Sequence, residues 1–515
     1  MKREILYEYI PNKKTTISSM IDDNIVSVKN LLKDCDDVVY RQFKIGGDKG
    51  RDVFLFYIDG MAEKELLNNF ILKPLMLMAR MVEPTFEEIK EEIYEASKVA
   101  AMSVTDFKES DNIEDSVLAV LSGDTAIFVD GEDKALVIAT KFFPVRGVQE
   151  PTAETVIRGS RDGFTETIRM NTALVRRRIR DPRFKIKQKQ IGVRSKTDIA
   201  IMYIDDIVDK KIVDEVIKKL DSINIDAILD SGYIQQYLED RPLSLFPQVQ
   251  TTERPDVVAA AVYEGRVGIL VDNSPFALIV PVTLTAFFQS PEDYYSRSIV
   301  VSFVRVLRVL CGAIAILAPS LYIAITSFSP GIIPTKLALS IAATREGVPF
   351  PAFIEAIIME LTLELLREAG VRLPRPIGST IGIVGGLVIG QAAVSAGIVS
   401  PIMVIVVAIT AIASFSIPNY EVSAAFRLVR FILMVLASIY GLYGIVLGSI
   451  MVLIHLSNLK SFGVPFLAPI APFEFSDLKD SLIVRMPWKY MIKRPKHIKP
   501  KDEIRQVGDE NAEGQ

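Results

Sequence analysis

Between Pro376 and Val399 the chain carries no charge, and glycine recurs at every fourth position: Gly378, Gly382, Gly386 and Gly390. An uncharged apolar stretch of roughly 20 residues is long enough to cross a bilayer as a helix. In water each of these glycines would cost a helix about 1 kcal/mol. In lipid the backbone must satisfy its own hydrogen bonds, so the helix survives, and glycine lets two helices approach closely. At about 100° per residue the glycines share one face, while Thr380, Val384, Val388, Gln391 and Ser395 lie opposite. Polar groups at membrane depth face a bundle interior or a cavity. Two readings follow: Gln391 and Ser395 bond to a neighbouring helix, or their face lines a water-filled path.

The rest of the sequence divides around residue 298. Charges crowd the region before it, and long apolar runs begin near Ile299. A net charge of −4 implies no general affinity for nucleic acid. Two cysteines, Cys35 and Cys311, make no disulfide framework. Two histidines, His455 and His497, without a cysteine pair, argue against a zinc site. The start, MKREILYEYIPNKK, lacks a secretory hydrophobic core, so the N-terminal region is expected to stay in the cytoplasm.

The region before residue 298 repeats itself. VFLFYIDGMAEKELL at 53–67 resembles IAIMYIDDIVDKKIV at 199–213, and SVLAVLSGDTAIFVDGEDKALVIAT at 116–140 resembles VVAAAVYEGRVGILVDNSPFALIVP at 257–281. Asp59 corresponds to Asp205 and Asp130 to Asp272. Alternating apolar strands and amphipathic helices predict two duplicated soluble α/β subdomains, 17–145 and 191–298, after a polar segment, 1–16, in a chain of α+β/membrane class overall. Each aspartate ends a strand, where it can bond its own turn backbone. No Walker loop, GxGxxG, HExxH or GxSxG is present and no nucleophile–base pair emerges, so no catalytic residue, metal site or cofactor is expected. The connector, 146–190, is dense in arginine with acids interleaved, and Thr155–Arg180 is expected to form a helix broken near Gly159 and Gly163. It reads as a salt-bridged buttress, as a surface for anionic lipid or as a partner contact.

An α-helical transmembrane domain is expected over 299–457, then a short cytoplasmic tail, 458–515, with Lys489, Lys493, Arg494, Lys496, Lys499 and Lys501. Ile299–Ile325, the glycine helix, Pro401–Ile417 and Leu428–Leu456 read as spans. Glu360, Glu364 and Glu368 form a stripe at four-residue spacing, with Glu355 on another face. The stripe faces water or pairs with Arg367 and Arg372, or it forms a charged vestibule when copies assemble. With both ends inside, four spans plus a non-spanning Glu helix is the preferred count; Arg427 and Arg430 fit this poorly, and five spans stays open.

With these segments read, the chain resembles the A subunit of GerA-type spore germination receptors. The resemblance rests on EPTAETVIRGSRDGFTETIRMNTALVRRRI, SKTDIAIMYI, PFPAFIEAIIMELTLELLREAGVRLPRPIG, IGIVGGLVIGQAAVSAGIVSP and IPNYEVSAAFRLVRF. It implies a multi-pass protein of the spore inner membrane with both terminal regions on the core side. Its implied partners are a transporter-like B subunit, to which nutrient recognition is attributed, a lipoprotein C subunit and further copies of itself in a ring. The ring would be a nutrient-gated monovalent-cation channel, with Val384 and Val388 as an apolar gate closed by dewetting. The alternatives are a non-conducting scaffold subunit, or a paralogue of the stage V AF-type sporulation proteins acting in ion release; these share the RGSRDGF region.

Overall fold

The computed structural model describes residues 14–45, 51–73, 106–142, 150–151, 154–372, 386 and 388–505. Its compact units are 1–238 with 249–281 and 493–515, and 239–248 with 282–492.

The first unit contains the two repeats. In the first, helix α1 (Ile21–Leu31) precedes strands β1 (Val38–Ile45), β2 (Arg51–Ile58), β3 (Phe107–Ser110), β4 (Thr125–Val129) and β5 (Ala135–Ile138), with α2 (Ile113–Leu121) between β3 and β4. In the second, α3 (Ile168–Arg176) precedes β6 (Phe184–Ile191), β7 (Thr197–Ile204), α4 (Lys210–Asp221), α5 (Ser231–Leu238), β8 (Gln250–Thr252), α6 (Pro255–Tyr263), β9 (Val267–Val271) and β10 (Ala277–Val280). The sheet orders, β1-β2-β4-β5-β3 and β6-β7-β9-β10-β8, are the same topology twice. The register repeats as well: Val38 pairs with Ile58 and Phe184 with Ile204.

Every pairing between these strands is antiparallel, so the two subdomains expected as α/β are antiparallel-sheet units, within the α+β class expected of the chain. The near-continuous apolar runs have a different cause from a parallel sheet. Alternate residues of β2 enter separate cores, Phe54, Phe56 and Ile58 on the helix-covered face and Val53, Leu55 and Tyr57 on the other. A strand covered on both faces loses its polar alternation whatever its direction.

The corresponding aspartates do not serve their own turns. Asp130 Oδ1 accepts from the Ile21 N–H at 3.2 Å, and Asp272 Oδ1 from the Ile168 N–H at 3.0 Å. Each caps a helix N-terminus from the far end of its repeat, where unpaired N–H groups and the helix dipole favour a carboxylate. A second device recurs: Asn24 bonds both backbone groups of Ser18, and Asn171 both of Thr165. Asp59 pairs with Lys64 and Arg169, and Asp205 with Lys210. Among its described residues the arginine-rich connector forms a helix only at Ile168–Arg176, and its later part supplies α3 and β6 of the second repeat.

One buried ion pair joins the repeats. Arg176 donates from Nε and Nη2 to the two Asp37 oxygens at 2.9 and 2.8 Å, and from Nη1 to the Phe184 carbonyl at 2.9 Å. Beside it Cys35 Sγ lies 3.5 Å from the Phe184 carbonyl oxygen, and burial pushes this thiol up. Residues 493–505 pack on the second repeat, through Arg494 on the Tyr263 carbonyl and Arg505 on Glu264.

The second unit is mainly helical: α7 (Ser298–Phe328), α8 (Thr335–Arg345), α9 (Ala352–Arg372), α10 (Pro401–Phe415) and α11 (Tyr420–Asn458), with helix also at 386 and 388–395. Two of these, α7 and α11, are long and apolar enough to cross a membrane. A straight helix of the 39 residues in α11 would run about 58 Å, nearly twice a bilayer core of about 30 Å. It is not straight. Gly441 has φ 59° and ψ −138° inside it, a backbone that glycine adopts without a Cβ penalty. There the chain turns back: a Cβ on Gly444 would strike the Leu436 carbonyl, and one on Gly448 the Leu433 side chain. Two antiparallel legs result, 420–440 and 442–458, held close by small residues.

Two apolar clusters mark the ends of the bundle. One gathers Phe288, Ile417, Phe426, Leu456 and Leu459; the other gathers Tyr322, Ile323, Ala352, Val399, Met403 and Ala437. α7 and both legs of α11 contribute to both clusters, whereas α9 and α10 contribute to the second.

Candidate functional site

The charged residues of the apolar bundle are brought together by α9 and the first leg of α11. Glu360 Oε2 lies 2.8 Å from Arg430 Nη2, each side chain 3% exposed. One turn on, Glu364 lies 3.5 Å from Arg427 and 3.2 Å from Arg367. The order, 360 with 430 and 364 with 427, is that of two antiparallel helices, with partners one turn apart on each. Arg430 Nη1 also donates to the Ala315 carbonyl of α7 at 3.3 Å, so the pair ties α7 to the other two helices. Glu360 Oε1 and Arg430 Nε are buried without a hydrogen-bond partner among the described residues.

The stripe expected at Glu360, Glu364 and Glu368 is therefore divided. Glu360 is buried and internal, Glu364 is part-exposed and shared between arginines, and Glu368 is exposed and paired with Arg372 at 2.5 Å. Glu355, on the other face, is fully buried. It lies 3.2 Å from Arg345 of α8 and accepts from the Ser400 N–H at 2.8 Å, beside the start of α10. Ser400 Oγ in turn caps α10 through the Met403 N–H.

Of the glycine ladder, Gly378 and Gly382 lie outside the described residues, as do Thr380 and Val384 opposite. Gly390 is buried, and a Cβ there would meet Val404 of α10 at 3.5 Å. Gly386 has open space at that position. Val388, Gln391 and Ser395 are exposed together on the opposite side. Neither the Gln391 nor the Ser395 side chain bonds to another described residue.

The pairing of Glu360 and Glu364 with Arg430 and Arg427 was missed from sequence. Its signal was available: acids four apart on one apolar helix, arginines three apart on another. A further cluster sits at the start of α7, where buried Asp293 takes both Arg305, at 3.0 Å, and Arg308, at 2.7 Å. Among the described residues no group of three or more His, Cys, Asp and Glu converges as metal ligands.

A duplicated α+β region joined to an apolar helical bundle stapled by charged pairs defines a two-part class of protein. A family described as Bacillus/Clostridium GerA spore germination protein matches residues 26–497, and the chain belongs to it. It is 43% identical to Spore germination protein KA of Bacillus subtilis (strain 168), over 96% of this chain and 90% of that protein. It is 43% identical to Spore germination protein B1 of the same organism, over 95% and 99%, and 40% identical to Spore germination protein GerLA of Bacillus cereus, over 94% and 97%. A crystal structure of the N-terminal domain of the A subunit of the Bacillus megaterium spore germinant receptor GerK3 aligns with a TM-score of 0.40 at 30% identity, over 52% of this chain and 97% of that one.

Proposed function

We propose that this chain is the A subunit of a nutrient-responsive germination receptor, and that its copies assemble in the spore inner membrane as a ring conducting monovalent cations. It acts with a transporter-like B subunit and a lipoprotein C subunit. The observation that carries the reading is the open face of Val388, Gln391 and Ser395 on an apolar helix whose glycine side is turned inward at Gly390. Gln391 against lipid is costly, so this face belongs against water or a second subunit.

By the same period Thr380 and Val384 continue that face. Val384 and Val388 form the dewetting gate, and Gly378, Gly382 and Gly386 remain for contact with a neighbouring copy. Glu364 and Glu368 supply the vestibule charge, while Glu360 holds the bundle. The arginine-rich end, with Arg305, Arg308, Arg372 and Arg427, faces the core side by the positive-inside rule. With both terminal regions on that side the chain crosses an even number of times, α7 and α11 among the crossing helices.

The test is cation release. Val388→Ala should leak potassium without nutrient, and Gln391→Leu should slow nutrient-triggered release at normal receptor level. Unchanged release in both variants would sink the conducting role and leave a scaffold subunit.

A further inference from the structure

We propose that residues 470–490 form a belt seated in the headgroup zone of an anionic bilayer, beside the start of α7. The inference rests on the reading of the helical bundle as membrane-spanning. The sequence places this stretch in a polar tail, yet its apolar side chains point outward. Phe473 is 67% and Phe475 81% exposed, and Ile483, Trp488 and Tyr490 are exposed with them.

Charge is sorted in the opposite sense. Lys479 and Lys489 are exposed. Asp477 is buried, Asp480 Oδ1 accepts from Arg305 Nη1 at 2.7 Å, and Glu474 is half-buried. Aromatic rings with lysines outward and acids withdrawn are the composition that settles at a membrane–water interface. Each lysine near such a surface adds attraction to anionic lipid.

Position supports the same occupant. The belt is bonded to α7: Arg305 Nη1 donates to the Ser481 carbonyl at 2.7 Å, and the Arg485 N–H to Ser302 Oγ at 3.0 Å. Trp488 Nε1 donates to the Tyr294 carbonyl at 3.3 Å. The Arg485 guanidinium lies 4.8 Å from the Tyr294 ring and 4.7 Å from that of Trp488. Ile299 and Phe303 of α7 are exposed beside these anchors, so the belt continues the apolar surface of a membrane helix.

Trp488 is the only tryptophan, so its emission reports on the belt alone. The full chain is reconstituted into vesicles of phosphatidylethanolamine with either brominated phosphatidylglycerol or brominated phosphatidylcholine. The expected result is shielding of Trp488 from aqueous iodide and roughly twofold stronger quenching by the anionic lipid. Lys479→Glu with Lys489→Glu should remove that preference. Quenching by iodide and not by lipid would place the belt in water, and protection from both would place it under protein; either overturns the proposal. Equal quenching by the two lipids overturns its anionic part. Phe303→Trp in a Trp488→Phe background separates the premises. Lipid quenching there without quenching of Trp488 defeats the belt alone, whereas no quenching at either position defeats the membrane reading as well.

Discussion

The buried pair of Glu360 and Arg430 should behave as a structural staple whose halves cannot be removed separately. The two side chains are 2.8 Å apart and each is 3% exposed. At about 4 Å and an effective dielectric of about 20 such charges attract by roughly 4 kcal/mol, against desolvation of several kcal/mol per ion. The balance is near zero for the intact pair and strongly unfavourable for either half. Glu360→Leu leaves Arg430 buried with only the Ala315 carbonyl, and Arg430→Met leaves a bare carboxylate. Each should destabilise the bundle by about 3–5 kcal/mol. The double change Glu360→Leu with Arg430→Met removes both charges and should lie within about 1 kcal/mol of the unaltered protein.

Thermal unfolding of the detergent-solubilised chain, with receptor level in membranes as a second readout, measures all three. Single changes that cost under about 1 kcal/mol, with no coupling in the cycle, would refute the assignment. A double variant that is stable and abundant yet unresponsive to nutrient would show that the pair participates in opening.

Two further outcomes are expected in the two repeats of the first unit. Arg176→Lys cannot keep the two-pronged contact with Asp37 and the Phe184 carbonyl; denaturant unfolding should show a loss of about 3 kcal/mol. Burial pushes the Glu154 carboxyl up to about 7 from an ordinary 4.5, against the opposing hydrogen bond from Thr252 Oγ1 at 2.6 Å. The folded chain then holds a proton that the unfolded chain releases across that interval. The contribution of this group is greatest below about pH 4.5 and is lost as pH rises through about 7, and Glu154→Gln should flatten that part of the dependence in melts at successive pH values.

The two repeats were legible because their strands are short apolar runs closed by aspartate, and Asp59, Asp130, Asp205 and Asp272 stand at matching positions. Their full extent was not. The motif that begins each repeat, Ser18 with Asn24 and Thr165 with Asn171, is a backbone lock with little apolar signal. In the second repeat it also lies among arginines that read as a linker. Antiparallel pairing was hidden for a related reason: with both faces of β2 buried, composition no longer distinguishes the direction of its neighbours.

The bundle fails differently. Where lipid is as apolar as leucine, hydrophobic periodicity no longer says which face of a helix is inside. The turn at Gly441 left no trace, since it is flanked by residues suited to either a straight helix or a hairpin. What remains informative is the polar exception. Glu360 and Glu364 against Arg430 and Arg427 indicate by charge and spacing that α9 and the first leg of α11 face each other at one height, and the observed partners, 360 with 430 and 364 with 427, add that they run antiparallel. The same argument applied to Gln391 and Ser395, which find no partner among the described residues, directs attention beyond a single chain. A polar face unpaired among the described residues is what the proposed ring would use, against a second copy or against water.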